Sequence, residues 1–224
     1  MSRVTIRKSI YLKWGQLFKY ATADHYKQVL TGSTERHKRT EVMLPRLVRE
    51  GKLRTFKHGR VLVYAVPRYT QGQNIFVEHG LACTEGLVRF WRSDMSGVII
   101  PERFFRGLGS IPEWGIIYPN NRMILFEFCS SDNFHRARLI EGKVKKYLRN
   151  LPDIENKFKA ETVVVFVADV KRADVERLVA RINPTGPFFF TDYEAFLQVP
   201  NGQQLTAAIY IWGENGNLYP LRKL

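Results

Sequence analysis

An uninterrupted apolar run, Thr162 to Ala168 (TVVVFVA), narrows the choice of folds more than any other stretch of this chain. A strand with one solvated face alternates apolar and polar residues, and this run does not alternate. It therefore predicts a strand that is buried on both faces of a sheet. A sheet of that kind needs helices on both sides, so the run predicts an α/β arrangement.

The segments around this run predict a mixed sheet with helices on its faces over residues 75–224. Helical patterns cover residues 76–91, 133–149, 171–182 and 192–197, and apolar strand patterns cover 98–100, 114–118, 123–129 and 188–190. The turn Pro119-Asn120-Asn121-Arg122 joins two of these strands directly. Residues 209–219 predict a further hairpin that adds edge strands to the sheet.

Charge is distributed very unevenly along the chain. The 224 residues include 35 Lys and Arg against 21 Asp and Glu, a net charge of +14. Residues 1–70 hold 16 of the basic and 4 of the acidic residues, a net charge of +12, so residues 71–224 carry only +2. This asymmetry predicts a basic module at 1–70 and a nearly neutral domain at 75–224, with the polar segment 67–74 as linker. A basic module of this kind indicates a polyanionic partner such as nucleic acid.

Composition excludes several classes of protein. The chain is 45% apolar and 13% aromatic, which excludes wholesale disorder. Its two cysteines, Cys83 and Cys129, are too few for a disulfide scaffold. No apolar run approaches the roughly 18 residues of a membrane span, and the first residues lack a signal-peptide pattern. We therefore expect a soluble, cytoplasmic protein with no membrane partner.

The basic module predicts three helices followed by a hairpin. The first helix is expected at residues 9–19. The second begins after Thr22 as its N-cap, and the third covers residues 34–50 after Ser33 as its N-cap. Pro45 should kink or split the third helix, and Gly51 should end it. Two strands, at 53–56 and 61–66, flank a turn that carries three basic residues.

Three helices followed by a basic-tipped hairpin resemble a winged helix-turn-helix domain. The resemblance is carried by the basic start of helix three, by the segment Leu47–Leu53 and by the hairpin that ends in Val63-Tyr64. It implies binding of double-stranded DNA, with the third helix in the major groove and the hairpin on the backbone or minor groove. The implied DNA-binding residues are Arg36, His37, Lys38, Arg39, Thr40, Lys57, His58 and Arg60. Two alternatives stay open, solvated surface charge and a winged helix that binds protein.

Glu127 is a carboxylate within the apolar strand 123–129. A lone buried carboxylate costs several kcal/mol, so this residue needs a cation, a metal ion or a proton. Glu113 lies at the start of the preceding strand, and a tight turn between antiparallel strands can bring the two carboxylates together. Paired carboxylates suit Mg²⁺, which would activate water for attack on a phosphodiester.

These residues resemble a degraded PD-(D/E)xK nuclease motif. Pro112-Glu113 matches its first part and Glu127-Phe128-Cys129 its second, with Cys129 in place of the lysine. In such folds a lysine from the next helix can substitute, and Lys143, Lys145 and Lys146 are the candidates, with Lys143 the first choice. The resemblance implies a restriction-endonuclease-like α/β domain whose candidate catalytic residues are Glu113, Glu127, Lys143 and His79. Glu113 and Glu127 would be the metal ligands.

The combination of the two domains is similar to the replication-relaxation family of plasmid and mobile-element proteins. The similar stretches are His79–Ala82 with Leu87, Pro112-Glu113, Phe126-Glu127, and Lys143 with Tyr147. The resemblance implies an α+β chain in which a winged helix precedes a nuclease-like domain. It also implies a role in the control of replication or transcription.

Several alternatives remain open for the second domain. Glu127 could pair with Lys143 as a structural ion pair, Glu113 could be a surface residue, and His79 could be a hydrogen-bonded core histidine. The protein would then be a DNA-binding protein without catalysis, an active Mg²⁺-dependent endonuclease, or an adaptor that binds a protein partner. A homodimer would fit paired DNA half-sites.

Overall fold

The computed structural model describes residues 8–69, 74–93, 97–198, 210–212 and 218–220. Contacts between Cα atoms divide the chain into two units, Met1–Arg92 and Ser93–Leu224. The sequence analysis placed the boundary at residues 70–75, and residues 70–73 of that predicted linker lie outside the described residues. The observed boundary comes about 20 residues later because an additional helix belongs to the first unit.

That helix, α4 (Asn74–Ser93), packs within the first unit through both polar and apolar contacts. The Thr84 hydroxyl donates to the Tyr20 carbonyl at 2.7 Å. Val77 joins Tyr20, Val63 and Ala65 in one buried cluster. Because Val77 is buried together with residues that precede the helix in the chain, α4 contributes to the core of the first unit.

The first unit contains helices and a small antiparallel sheet. Its elements are α1 (Lys8–Leu17), β1 (Ala21–Thr22), α2 (Ala23–Thr31), α3 (Lys38–Arg49), β2 (Arg54–His58), β3 (Val61–Ala65) and α4 (Asn74–Ser93). The strand order is β1-β3-β2, with β3 antiparallel to both neighbours. The predicted helices and hairpin are therefore present in the predicted order.

Helix α3 begins four residues later than the sequence pattern predicts. The prediction used Ser33 as the N-cap, but the Ser33 hydroxyl instead accepts from the Glu35 amide at 3.0 Å in a local turn. The residue that precedes the helix is His37, whose carbonyl accepts from the amides of Thr40 and Glu41. Arg36 and His37 thus lie just before the helix, whereas Lys38 and Arg39 form its first turn.

Pro45 does not split α3, which excludes one of the two predicted outcomes, a kink or a split. The helix is continuous from Lys38 to Arg49 with Pro45 inside it. Pro45 lies on the exposed side of the helix, where water can hydrogen-bond the carbonyl that the missing amide leaves.

Within the described residues, the second unit contains a sheet of seven strands together with helices. Its elements are β4 (Val98–Pro101), a 3-10 turn (Glu102–Phe105), β5 (Trp114–Ile117), β6 (Arg122–Cys129), α5 (Ser131–Phe134), α6 (Ala137–Phe158), β7 (Glu161–Ala168), α7 (Arg172–Ile182), β8 (Phe188–Asp192), α8 (Tyr193–Gln198), β9 (Tyr210–Trp212) and β10 (Leu218–Pro220). The strand order is β10-β9-β8-β7-β6-β5-β4. Together, the two units make a mixed α+β protein.

The sheet is mixed, and the predicted apolar run lies at its centre as a strand with a neighbour on each side. β7, which contains the run, lies between β6 and β8 and is parallel to both. The pairs β4–β5, β5–β6, β8–β9 and β9–β10 are antiparallel. The predicted C-terminal hairpin is confirmed as the strands β9 and β10, while the connecting residues 213–217 lie outside the described residues.

One face of this sheet is covered by α6 and α7. Leu125 of β6 and Phe166 of β7 pack in a single core with Ile140 and Val144 of α6 and Leu178 of α7. Glu127 follows Leu125 by two residues on the same strand, so its side chain points to this same face. A carboxylate is thus set among apolar side chains beneath α6.

Helix α6 is longer than the predicted helix at 133–149. It begins at Ala137, after the short helix α5, and passes through Pro152 to Phe158. The prediction ended before Pro152, but the buried residues Leu151 and Ile154 continue the apolar stripe of the helix on either side of it. Burial of that stripe outweighs the loss of one backbone hydrogen bond at the proline.

Candidate functional site

Four cations lie on the surface of the first unit at the two places that the sequence predicts. Lys38 and Arg39 are exposed in the first turn of α3. Lys57, near the end of β2, and Arg60, in the β2–β3 turn, are exposed, and Gly59 of this turn adopts a positive φ of 58°. Cations in the first turn of a helix oppose the helix dipole, so helix stability does not account for Lys38 and Arg39.

Arg36 is also exposed, but its charge is partly compensated. Its guanidinium Nε lies 3.2 Å from the Glu41 carboxylate, and both side chains face solvent. Such exposed ion pairs contribute little to stability and separate readily. Arg36 can therefore exchange Glu41 for another anion at small cost.

Thr40 does not lie on this surface, although the sequence analysis named it with the DNA-binding residues. Thr40 is completely buried, and its hydroxyl lies 3.1 Å from the Tyr11 hydroxyl and 2.7 Å from Nδ1 of His37. The spacing of Thr40 with the buried Leu44 and Leu47 is the sequence signal that could have assigned it to the core.

The two predicted DNA-binding histidines are both half-buried and have partners within the first unit. His37 is held through its ring nitrogen by Thr40. His58, at the end of β2, places Nε2 at 3.5 Å from the carboxylate of Glu78 on α4. Their imidazoles are therefore less accessible than the neighbouring lysines and arginines.

In the second unit, Glu127 is buried and bound on both of its oxygens. It is 7% exposed. Oε1 accepts from the Lys143 ammonium, and Oε2 accepts from the Tyr147 hydroxyl at 2.8 Å. Burial raises the pKa of the Glu127 carboxyl, Lys143 opposes that rise, and the charge of Glu113 adds to it. This carboxylate is thus satisfied by one cation and one neutral donor.

Glu113 lies just before β5 and close to Glu127. The Glu113 amide donates to the Phe126 carbonyl at 2.9 Å, although the register partner of Phe126 is the next residue, Trp114. Residues 113 and 114 thus both face Phe126, as at a β-bulge, and the regular ladder does not continue to Glu113. The charge of Glu113 adds to the rise in the pKa of Glu127, so the two carboxylates lie near each other, and Glu113 is less buried than Glu127.

Lys143 of α6 contacts Glu127, and it is the lysine that the sequence analysis preferred among the three candidates. Its side chain is 37% exposed. Burial lowers the pKa of Lys143, but Glu127, Cys129 and Glu113 together raise it above its ordinary value, so that the amine stays protonated. Lys145 instead pairs with Glu141 at 2.6 Å on the outer side of the same helix, and Lys146 is exposed.

Cys129 occupies the position two residues after Glu127, where the nuclease motif has its lysine. Its thiol is buried in the apolar core between the sheet and α6. Burial raises the pKa of Cys129 to about 12, so the thiol stays neutral. Of Cys129 and Lys143, only Lys143 therefore offers a positive charge to Glu127.

Tyr147 is a member of this cluster that the sequence analysis does not assign to the site. It is 3% exposed, and its ring packs edge-to-face on Phe166 of β7. Burial raises the pKa of the Tyr147 phenol well above its ordinary value, and Glu127 adds to the effect, so the phenol remains a donor. Its spacing of four residues from Lys143 is the signal that places both side chains on one face of α6.

His79, the fourth predicted catalytic residue, belongs to the first unit. It lies in α4, where its Nε2 is 3.6 Å from the Cys83 sulfur one helical turn later. His79 is half-buried and Cys83 is buried. The core-histidine alternative considered from the sequence is consistent with this placement.

The carboxylate oxygens of Glu113 and Glu127 are the type of ligand that a divalent cation binds. Glu113 and Glu127 would hold Mg²⁺, since both offer the oxygen ligands that this ion prefers. Each Glu127 oxygen already accepts one hydrogen bond, which leaves one lone pair on each for a metal ion. The arrangement can thus act as an ion pair that stabilises the fold or as part of a metal site.

Comparisons with known proteins leave the family of this chain open. No protein-family model matches the chain, and it matches none of the curated proteins. Among the helices of the described residues, none combines the length and apolar character needed to cross a membrane.

Proposed function

We propose that this chain is a DNA-binding protein whose first unit is a winged helix-turn-helix domain. The observation that carries the proposal is the pair of exposed basic sites, one at the start of α3 and one at the tip of the β2–β3 hairpin. The element order α1-β1-α2-α3-β2-β3, with a three-stranded antiparallel sheet, supports it.

The proposed binding mode follows from the positions of these cations. α3 would enter the major groove with its first turn, so that Lys38 and Arg39 meet phosphates or guanine edges. Arg36 would exchange Glu41 for a phosphate. Lys57 and Arg60, at the hairpin tip, would contact the neighbouring backbone or minor groove. Phosphate contacts set affinity and orientation, and the groove contacts set sequence preference.

The first expected result is a steep dependence of DNA affinity on salt. Five phosphate contacts, one for each exposed cation named above, would give a slope of about −4 to −5 for log K against log salt. Fluorescence anisotropy with a labelled duplex, from 50 to 300 mM salt in buffer without divalent ions, measures this slope. A slope shallower than about −1 would contradict the proposal.

The second unit is proposed to be nuclease-like in fold, with the Glu127–Lys143–Tyr147 cluster acting as a structural element. Both Glu127 oxygens are occupied by donors, which supports this role. The resemblance to the replication-relaxation family extends the proposal to the control of replication or transcription of a plasmid or mobile element.

A Mg²⁺-dependent endonuclease is the second candidate function, favoured by the charge of Glu113 near both Glu127 and Lys143. The metal would supply an activated water, and Lys143 would steady negative charge on the phosphate. Supercoiled plasmid with Mg²⁺ or Mn²⁺ tests this candidate. Cleavage by the wild type that slows at least about tenfold in Glu113→Gln supports it. Plasmid that stays equally intact with both proteins excludes it.

A further inference from the structure

Val42 is an exposed apolar side chain at the centre of the basic face of α3. It is 67% exposed. Helical spacing puts it one turn from Lys38 on one side and one turn from Arg46 on the other, with Pro45 and Arg49 beside them. The opposite side of the helix holds Thr40, Leu44 and Leu47, which are buried. Val42 is therefore not a core residue of the first unit.

Stability does not account for a valine at this position. A β-branched residue is a weaker helix former than lysine, arginine, glutamate or alanine. Its methyl groups gain nothing from burial while they face water. Single exposed apolar residues are common on protein surfaces, but this one lies within the face that the proposed function aims at the major groove.

The acidic residues in and just after α3 are each paired with a cation of the same surface. Glu41, next to Val42 in sequence, is paired with Arg36 at 3.2 Å. Glu50, just after the helix, is paired with Arg46 at 2.9 Å and also with Lys8. The face around Val42 is thus cationic with one aliphatic patch at its centre.

We propose that Val42 contacts the C5-methyl group of a thymine in the major groove and so sets part of the DNA sequence preference. This inference rests on the proposed function. The thymine methyl is the only apolar group that a base pair presents in that groove, and aliphatic side chains are its usual partners. The cations one turn away on either side would bind flanking phosphates and hold the valine against the base edge.

The test uses the full chain and a defined duplex. A preferred duplex is first enriched from a random-sequence library, and each thymine is then replaced singly by deoxyuridine, which lacks only the methyl group. With the wild type, one position should lose about fourfold in affinity, the effect of one buried methyl. Val42→Ala should bind the thymine and deoxyuridine duplexes equally at that position, and Val42→Thr, which keeps one methyl, should restore part of the difference.

Val98→Ala is the matched control, since Val98 is 65% exposed but lies on β4 of the second unit. It should keep the wild-type ratio between the two duplexes. Salt-dependent binding with no enriched sequence, or with no position at which Val42→Ala removes the deoxyuridine effect, overturns this inference and leaves the proposed function standing. Absence of DNA binding by the wild type overturns both.

Discussion

Lys143→Met should lower the free energy of unfolding of the second unit by about 2–4 kcal/mol at pH 7. Removing one partner of a fully buried ion pair typically costs 3–5 kcal/mol, because the remaining charge is left buried. Glu127 is that remaining charge, and Tyr147 is left as its donor. The expected loss is somewhat smaller here because Lys143 is 37% exposed in the wild type. Hydrogen exchange of β6 and β7 amides measures the effect, with β3 amides of the first unit as internal reference.

The pH dependence of this variant has a definite sign. Burial already raises the pKa of Glu127, and loss of the lysine raises it further. A carboxyl with a raised pKa in the folded state takes up a proton more readily there than in the unfolded chain. The loss in free energy of unfolding caused by Lys143→Met should therefore become smaller as the pH falls from 7 towards 4, because Glu127 becomes neutral.

Two further variants control this experiment. Glu127→Gln combined with Lys143→Met removes both charges and should recover most of the lost stability. Lys145→Met breaks only the exposed pair with Glu141 and should leave the free energy of unfolding nearly unchanged. If Lys143→Met were as stable as Lys145→Met, Lys143 would not be the cation that stabilises buried Glu127.

Parts of the chain were predictable because burial and spacing leave few choices. The run at 162–168 had to be a central strand, and β7 is flanked on both sides by parallel strands. The short turn before β6 fixes an antiparallel hairpin, which is why Glu113 and Glu127 could be expected on neighbouring strands. Lys143 could be predicted because the buried Glu127 needs a cation and the next helix supplies one.

Other parts depend on which of two local interactions is stronger, and the sequence does not decide between them. Ser33 could cap a helix or a turn, and it takes the turn, so α3 begins at Lys38. Pro152 removes one hydrogen bond, yet the buried stripe of α6 continues past it. Thr40 and Tyr147 are polar residues on buried faces, so residue type alone assigned Thr40 to the surface and left Tyr147 outside the site.

Lys38→Ala combined with Arg39→Ala should weaken DNA binding about 100-fold near 0.15 M salt. Each side chain is expected to contribute at least about 1.4 kcal/mol as a phosphate or base contact, which is a factor of ten. The salt slope should also become shallower by about two, because two fewer counterions are released. The fold should tolerate the change, since both residues are exposed and removing cations from the first turn of α3 favours its dipole.

The matched control removes the same charge from the other unit. Lys171→Ala combined with Arg181→Ala takes two exposed cations from the start and end of α7. If DNA is bound by the basic face of α3, this control should keep nearly the wild-type affinity and slope. An equal loss in both double variants would mean that affinity follows net charge rather than a docked helix. That outcome would overturn the proposed binding mode, because a helix in the major groove makes Lys38 and Arg39 matter more than cations elsewhere.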